Sequence, residues 1–388
     1  MRFRSCRFFC FLLFISAGAG VFAQAASGYS AFMAQAAVKA ASMSNSGLAA
    51  QVLLTGIDGK LGLAPAMKVL LEKIPAGGIM LFRYNLDSSP DEVRKLLAET
   101  AGLVEGRGGI APFMAVDHEG GLVHRFGQGV ERLPSAFSFW ELAQREGRAA
   151  ALERAGTLYR RSAAEIRGLG ITMVLSPVAE TLNEENRLFL DTRSYGPDPD
   201  FTRAAASIFI ESMNASGIAS VVKHFPGNTA ADPHSAASIL RADKDALDEM
   251  VKPFAGIIRG IDPPAVLVSH VLVPALDNKK IASLSRPVIE GWLRGELGFK
   301  GIALADDFSM AAAGQGTAGS GTAGPGPVAV EALNAGVDMI IVWPRNITSV
   351  HSAILDALAS GRLSRERLLE AAGRIIAVKM RYGLVSVP

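Results

Sequence analysis

Five of the six histidines, His118, His124, His224, His234 and His270, fall at or just after apolar runs, with only His351 elsewhere. Carboxylates and cations accompany them. Residues 117–121 read Asp-His-Glu-Gly-Gly, residues 223–227 read Lys-His-Phe-Pro-Gly, a small-residue loop carries Asp232-Pro233-His234, and Ser269-His270 and Asp306-Asp307 close two further runs. Asp306 ends Ile302-Ala303-Leu304-Ala305, where a rigid strand would fix a carboxylate able to attack an electrophilic carbon or stabilise a cation. Its neighbour Asp307 suits the plainer role of capping the next helix. Asp232 and His234, one residue apart, can meet so that the carboxylate orients the imidazole and raises its proton affinity, as in an acid/base dyad. The alternative is two unrelated polar residues on a surface loop. Lys223 and His224 follow an apolar run, so their side chains are expected to alternate in direction, and either can donate to substrate hydroxyls. Some of Lys223, His224 and His270 are expected to be core residues tied to neighbouring carboxylates.

The elements that must position these groups repeat one theme from about residue 45, a short apolar run followed by a stretch with helical spacing. The runs are Val52 to Thr55, Gly78 to Phe82, Pro112 to Val116, Thr172 to Ser176, Ser220 to Lys223, Ala265 to Ser269, Gly301 to Ala305 and Met339 to Trp343. Helix starts are marked by signals such as Ser89-Pro90-Asp91-Glu92, a capping Ser before Pro at the first helical position with acids facing the N-terminal dipole. Strands alternating with helices imply parallel pairing, and continuously apolar strands imply burial on both faces. Eight such units predict an α/β fold, a single (β/α)8 TIM-type barrel over residues 45–388, whose active site would lie at the C-terminal strand ends. Ala313 to Pro327, AGQGTAGSGTAGPGP, reads as a loop after the seventh strand.

Residues 1–25 read as a signal peptide: Arg2, Arg4 and Arg7 precede the apolar Phe8 to Ile15 and a small-residue end. The apolar stretch is short for a membrane span of about 20 residues, so no stable membrane insertion is expected after cleavage. Both cysteines, Cys6 and Cys10, fall in this segment, and its removal leaves 36 basic and 37 acidic residues. The mature chain then has no cysteine, which excludes a thiol mechanism, and the expected location is the periplasm or beyond. Its balanced charge lacks the basic stripe of a nucleic-acid binder. Residues 26–44 form an Ala/Ser-rich segment with a possible amphipathic helix.

Together the stretches GGIMLFRYN (77–85), MAVDHEGGLVHRFGQGVERLP (114–134), LSPVAETLNEENRLFLDTRSYG (175–196), VVKHFPG (221–227), VLVSHVLVPALD (266–277), LSRPVIEGWLRGELGFKGIALADDFSM (284–310) and EALNAGVDMIIVW (331–343) resemble glycoside hydrolase family 3, in particular its β-N-acetylglucosaminidase group. The resemblance implies a retaining hydrolase that removes terminal β-linked N-acetylglucosamine without a cofactor. It implies that Asp306 is the nucleophile and that His234 is the general acid/base, with Asp232 its partner. Asp117, Arg125, Arg193, Lys223 and His224 match positions that hold the sugar's hydroxyl and N-acetyl groups, and Met310 resembles a pocket-wall position. One departure stands out. The family usually reads KHFPGHG followed by four residues and then D-S-H, whereas here Asn228 replaces the second His, the loop is two residues shorter, and Pro233 stands within the dyad.

Other readings compete. A β-glycosidase of broader specificity would take its acid/base Glu from a second domain, and a neutral His base would also admit phosphate in place of water. A metal-dependent barrel hydrolase would use Asp117, His118, His224, His234 and His270 as ligands. A sugar-binding relative without turnover would account for the altered loop.

Overall fold

The structure, a computed structural model, describes residues 32–231, 238–308 and 324–386. The signal-peptide segment 1–25, both cysteines, Asp232, His234 and Met310 lie outside the described residues.

All eight expected strands form, each within two residues of its sequence run at either end. In chain order the strands are β1 (Leu53–Gly56), β2 (Gly78–Leu81), β3 (Phe113–Val116), β4 (Met173–Val174), β5 (Ala219–Phe225), β6 (Ser238–Ile239), β7 (Ala265–Val268), β8 (Val271–Val273), β9 (Asp277–Ile281), β10 (Ile302–Ala305) and β11 (Met339–Val342). Eight of them, β1, β2, β3, β4, β5, β7, β10 and β11, close a barrel of parallel pairs. This is the (β/α)8 barrel expected from the sequence. Nearly every barrel-strand residue is buried, because helices cover the outside while side chains fill the inside.

The remaining three strands, β6, β8 and β9, make a small separate sheet absent from the sequence reading. β6 is only two residues long and β9 is mostly polar or charged, so neither carries the apolar run that marks a barrel strand. Residues 32–41 are helical, with Ala36 and Ala40 fully buried one turn apart. The Ser89 signal is realised as a capping box: Glu92 N donates to Ser89 Oγ, and Ser89 N donates to Glu92 Oε2 at 3.0 Å. The expected loop 313–327 ends sooner than its composition suggests, since Pro325 opens the helix Pro325–Ala335 at a position where a missing N–H costs nothing.

The N-terminal end of the barrel is pinned by Asp338, fully buried just before β11. Arg294, Arg367 and Arg374 donate to its carboxylate at 2.5, 2.9 and 3.0 Å, and Ala303 N of β10 donates at 2.9 Å. Burial alone would raise this carboxyl, but the three guanidinium groups outweigh it and hold the pKa below the ordinary value. The clamp therefore fixes β10 against β11 from below, and β10 carries Asp306 at its other end.

Candidate active site

A cavity of about 500 Å³ opens at the C-terminal ends of the barrel strands, of a size suited to a small molecule. Its walls are chemically divided. Asp117, Glu119, Arg125, Arg193, Lys223 and His224 form a charged half, in which Phe189 packs against Arg193, while Met80, Phe82, Ile341 and Trp343 form an apolar half, with Asp306 directly after β10 next to the latter.

The charged half is one ion network. Lys223 Nζ, almost wholly buried at the end of β5, donates to Asp117 Oδ1 at 2.9 Å and lies 2.6 Å from Glu119 Oε1. Arg193 grips Glu119 with both arms of its fork, Nε to Oε2 at 2.8 Å and Nη2 to Oε1 at 2.9 Å. Arg125 Nη2 stands 3.6 Å from Asp117 Oδ2, and its buried Nε has no hydrogen-bond partner among the described residues. Burial by itself would raise the Glu119 carboxyl, yet the Lys223 and Arg193 cations outweigh it and hold the group well below the usual carboxylate range. Burial opposes the charge on Lys223 and Arg193 as well; Asp117 and Glu119 raise Lys223, and Glu119 raises Arg193. Glu119, Lys223 and Arg193 thus stay ionised at neutral pH, presenting fixed charges to a polar ligand with little reorganisation.

Glu119 escaped the sequence reading, although its spacing offered a signal. It stands two residues beyond Asp117, so an extended chain turns both carboxylates to the same side. Gly120 then bends the chain away with φ 92°; a Cβ there would come within 2.2 Å of Pro134 O.

Glu180 was missed too, and it organises the other edge of the site. Its buried carboxylate accepts from His224 Nδ1 at 2.6 Å, from His224 N at 3.3 Å, from Asn228 N at 2.7 Å and from Asn228 Nδ2 at 3.0 Å. A His224 that donates through Nδ1 offers Nε2, in the neutral ring, as an acceptor, and Arg193 Nη2 lies 3.4 Å from it. The expected alternation of Lys223 and His224 fails, because both line the cavity. The physical reason is an irregularity in β5, whose register against β7 shifts between Val222 and Phe225.

Asp306 is the first residue after β10, half-buried, with Oδ1 accepting from Asp307 N at 2.8 Å. Asp307 is buried and also reaches the cavity; the segment it was expected to cap falls in residues 309–323, outside those described. His270 packs in the core, bonded through Nδ1 to Ser283 Oγ at 2.7 Å and stacked on Phe308, and burial lowers its pKa. His118 faces away from the cavity onto Ser162 Oγ at 2.7 Å, and burial pushes its imidazole down to about 3. The described residues proposed as metal ligands therefore do not converge: Asp117 is bound by Lys223, and His118, His224 and His270 each turn to a different partner. Among the described residues no group of three or more His, Cys, Asp or Glu could hold a metal ion.

Comparison with known proteins agrees with this geometry. Residues 52–378 match the sequence profile described as the glycosyl hydrolase family 3 N-terminal domain. A β-hexosaminidase of Methylococcus capsulatus is 35% identical over 308 residues, covering 77% of this chain and 85% of the relative. Another from Idiomarina loihiensis is 32% identical over 294 residues, covering 74% and 80%. Among solved structures, a family 3 β-N-acetylglucosaminidase from Paenibacillus sp. superposes with a TM-score of 0.80 at 31% identity, covering 89% of this chain and 65% of that longer chain. NagZ from Neisseria gonorrhoeae, in complex with N-trifluoroacetyl-D-glucosamine, gives 0.70 at 28% identity, covering 84% and 89%. A family profile that spans most of the barrel, joined to relatives matched over most of their own length, establishes that the chain belongs to glycosyl hydrolase family 3 and is a glycoside hydrolase of its β-hexosaminidase group.

Proposed function

We propose that the protein is a retaining, exo-acting β-N-acetylglucosaminidase whose nucleophile is Asp306. The observation that carries this reading is the cavity itself: a carboxylate directly after a barrel strand shares it with a preformed network of charges on Asp117, Glu119, Arg193 and Lys223. The network binds hydroxyl groups by charge-assisted hydrogen bonds, and the ring it holds presents its anomeric carbon to Asp306. An Asp306 oxygen bonds to that carbon as the bond to the leaving oxygen breaks, and imidazolium His234, partnered by Asp232, passes its proton to the leaving oxygen. Neutral His234 then takes a proton from water, whose oxygen displaces the Asp306 carboxylate and releases the sugar with retained configuration.

Export by the N-terminal segment would bring the enzyme to peptidoglycan fragments or chitooligosaccharides, the substrate sources proposed here. The test is trapping with 5-fluoro-N-acetylglucosaminyl fluoride followed by peptide mapping. Label on the peptide that contains Asp306 is the expected result. Label on another carboxylate, or inversion at the anomeric carbon seen by NMR during hydrolysis of an aryl β-N-acetylglucosaminide, would overturn the reading.

A further inference from the structure

The apolar half of the cavity contains a feature that the chemistry at Asp306 leaves unused. Phe82 and Trp343 stack on each other with ring centroids 5.1 Å apart and planes 19° from parallel, and both rings are half-buried in the cavity wall. They come from strands that are not neighbours. β1 lies between β2 and β11, and it ends at Gly56, where a Cβ would meet the Phe82 ring at 3.4 Å and Pro344 at 3.5 Å. The two rings from flanking strands meet beside the end of β1. Each ring has a fixed base. Asn85 accepts from Phe82 N at 3.0 Å and donates to Gly59 O at 2.8 Å, and Pro344 directly after Trp343 opens the helix Pro344–Ala359. Two aromatic rings held half-exposed by such a base are a preorganised surface for a flat apolar ligand face.

Their height in the barrel identifies the ligand. Ala305 pairs with Ile340, so Asp306 and Ile341 are the next step of their strands. Trp343 stands two residues beyond Ile341 on the same side of an extended chain and so nearer the mouth. Phe82, directly after β2, meets it from the far side of β1. The aromatic pair thus lies farther out than the carboxylate that meets the anomeric carbon. Building on the function proposed above, we propose that the Phe82–Trp343 pair is an acceptor subsite that stacks against the apolar face of the second pyranose ring, so that the enzyme selects β-GlcNAc linked to another sugar over β-GlcNAc linked to a small alcohol.

The experiment compares N,N′-diacetylchitobiose with methyl β-N-acetylglucosaminide, the same donor sugar without an acceptor ring. Trp343→Ala is expected to lower kcat/KM for the disaccharide about tenfold and to leave the methyl glycoside within about twofold, while Trp343→Phe keeps the disaccharide preference. Equal losses on both substrates, or no loss on either, would overturn the subsite. A parallel titration follows intrinsic fluorescence with chitobiose and needs no turnover. Trp292 is fully buried and Trp140 packs on Phe201, so a saccharide-dependent change present in wild type and absent in Trp343→Phe reports the platform directly. Hydrolysis of neither glycoside would sink the proposed function. Absence of a Trp343-dependent change on adding chitobiose would sink the subsite alone.

Discussion

Lys379 sits on the helix Arg365–Arg381 with no accessible surface, at the end of the barrel opposite the cavity. Its Nζ donates to Gln51 Oε1 at 3.0 Å and lies 5.3 Å from the centre of the Phe113 ring, with no carboxylate paired to it among the described residues. Burial drives its pKa down to about 7, from an ordinary 10.5. The sign of the linkage follows from that depression. Below about pH 7 both folded and unfolded chains carry the proton, and the full cost of a buried ammonium weighs on the fold. Between about 7 and 10.5 only the unfolded chain stays protonated, so stability rises with pH; above 10.5 the cost is gone. At about 1.4 kcal/mol per pH unit the gap amounts to about 5 kcal/mol. Lys379→Met removes that cost but leaves Gln51 Oε1 without its donor, a loss of about 1–3 kcal/mol. The variant is therefore expected to be more stable than wild type by about 2–4 kcal/mol at pH 6 and less stable by about 1 kcal/mol near pH 10. Urea denaturation of both proteins across this range measures the difference. A difference that stays flat from pH 6 to 10 would refute the argument, because a lysine that keeps its proton in the fold contributes no slope.

Four further outcomes follow from named contacts. Asp338→Asn leaves Arg294, Arg367 and Arg374 around an uncharged amide and should cost about 3–5 kcal/mol in denaturant unfolding, with kcat of the folded enzyme unchanged. Glu119→Gln should cost a comparable amount; because the Glu119 pKa is depressed, its contribution is fully present above the ordinary 4.5, so the difference from wild type should be the same at pH 8 and pH 5 in thermal melts. Glu180→Gln replaces one acceptor oxygen of the cluster that orients His224 with an N–H donor and is expected to lower kcat/KM on an aryl β-N-acetylglucosaminide about 10²-fold, mostly through KM. Asn228→Ala, which leaves the His224 bond in place, should instead act mainly on kcat in the same steady-state assay.

The parts of the molecule legible in the sequence are those that obey a local rule. Each barrel strand is apolar throughout because it is buried on both faces, and Asp306, Lys223 and Asp117 could be placed because they directly follow such runs. Glu180 was not legible, and Glu119 only through its spacing from Asp117, for a different reason: their roles are set by partners 44 and 74 residues away, His224 and Arg193, and no local pattern records those pairings. The same holds for Trp343, which looks like the end of one more apolar strand until the barrel closes and brings Phe82 against it.

Asn228 is where local and distant information meet. Against the usual family pattern it appears as a lost histidine at the start of a shortened loop. In the fold it is buried, and it supplies Glu180 with two hydrogen bonds, one from its backbone and one from its amide. A carboxylate that must also hold His224 needs donors around it, and an amide provides one without a charge of its own that shifts with pH. The amide therefore preserves what the cluster requires: His224 stays fixed toward the cavity, and the chain leading to Asp232 and His234 leaves from an anchored position. On this argument the altered motif is compatible with catalysis, and the separation of KM effects at Glu180 from kcat effects at Asn228 is the measurement that distinguishes a repositioned loop from a disabled one.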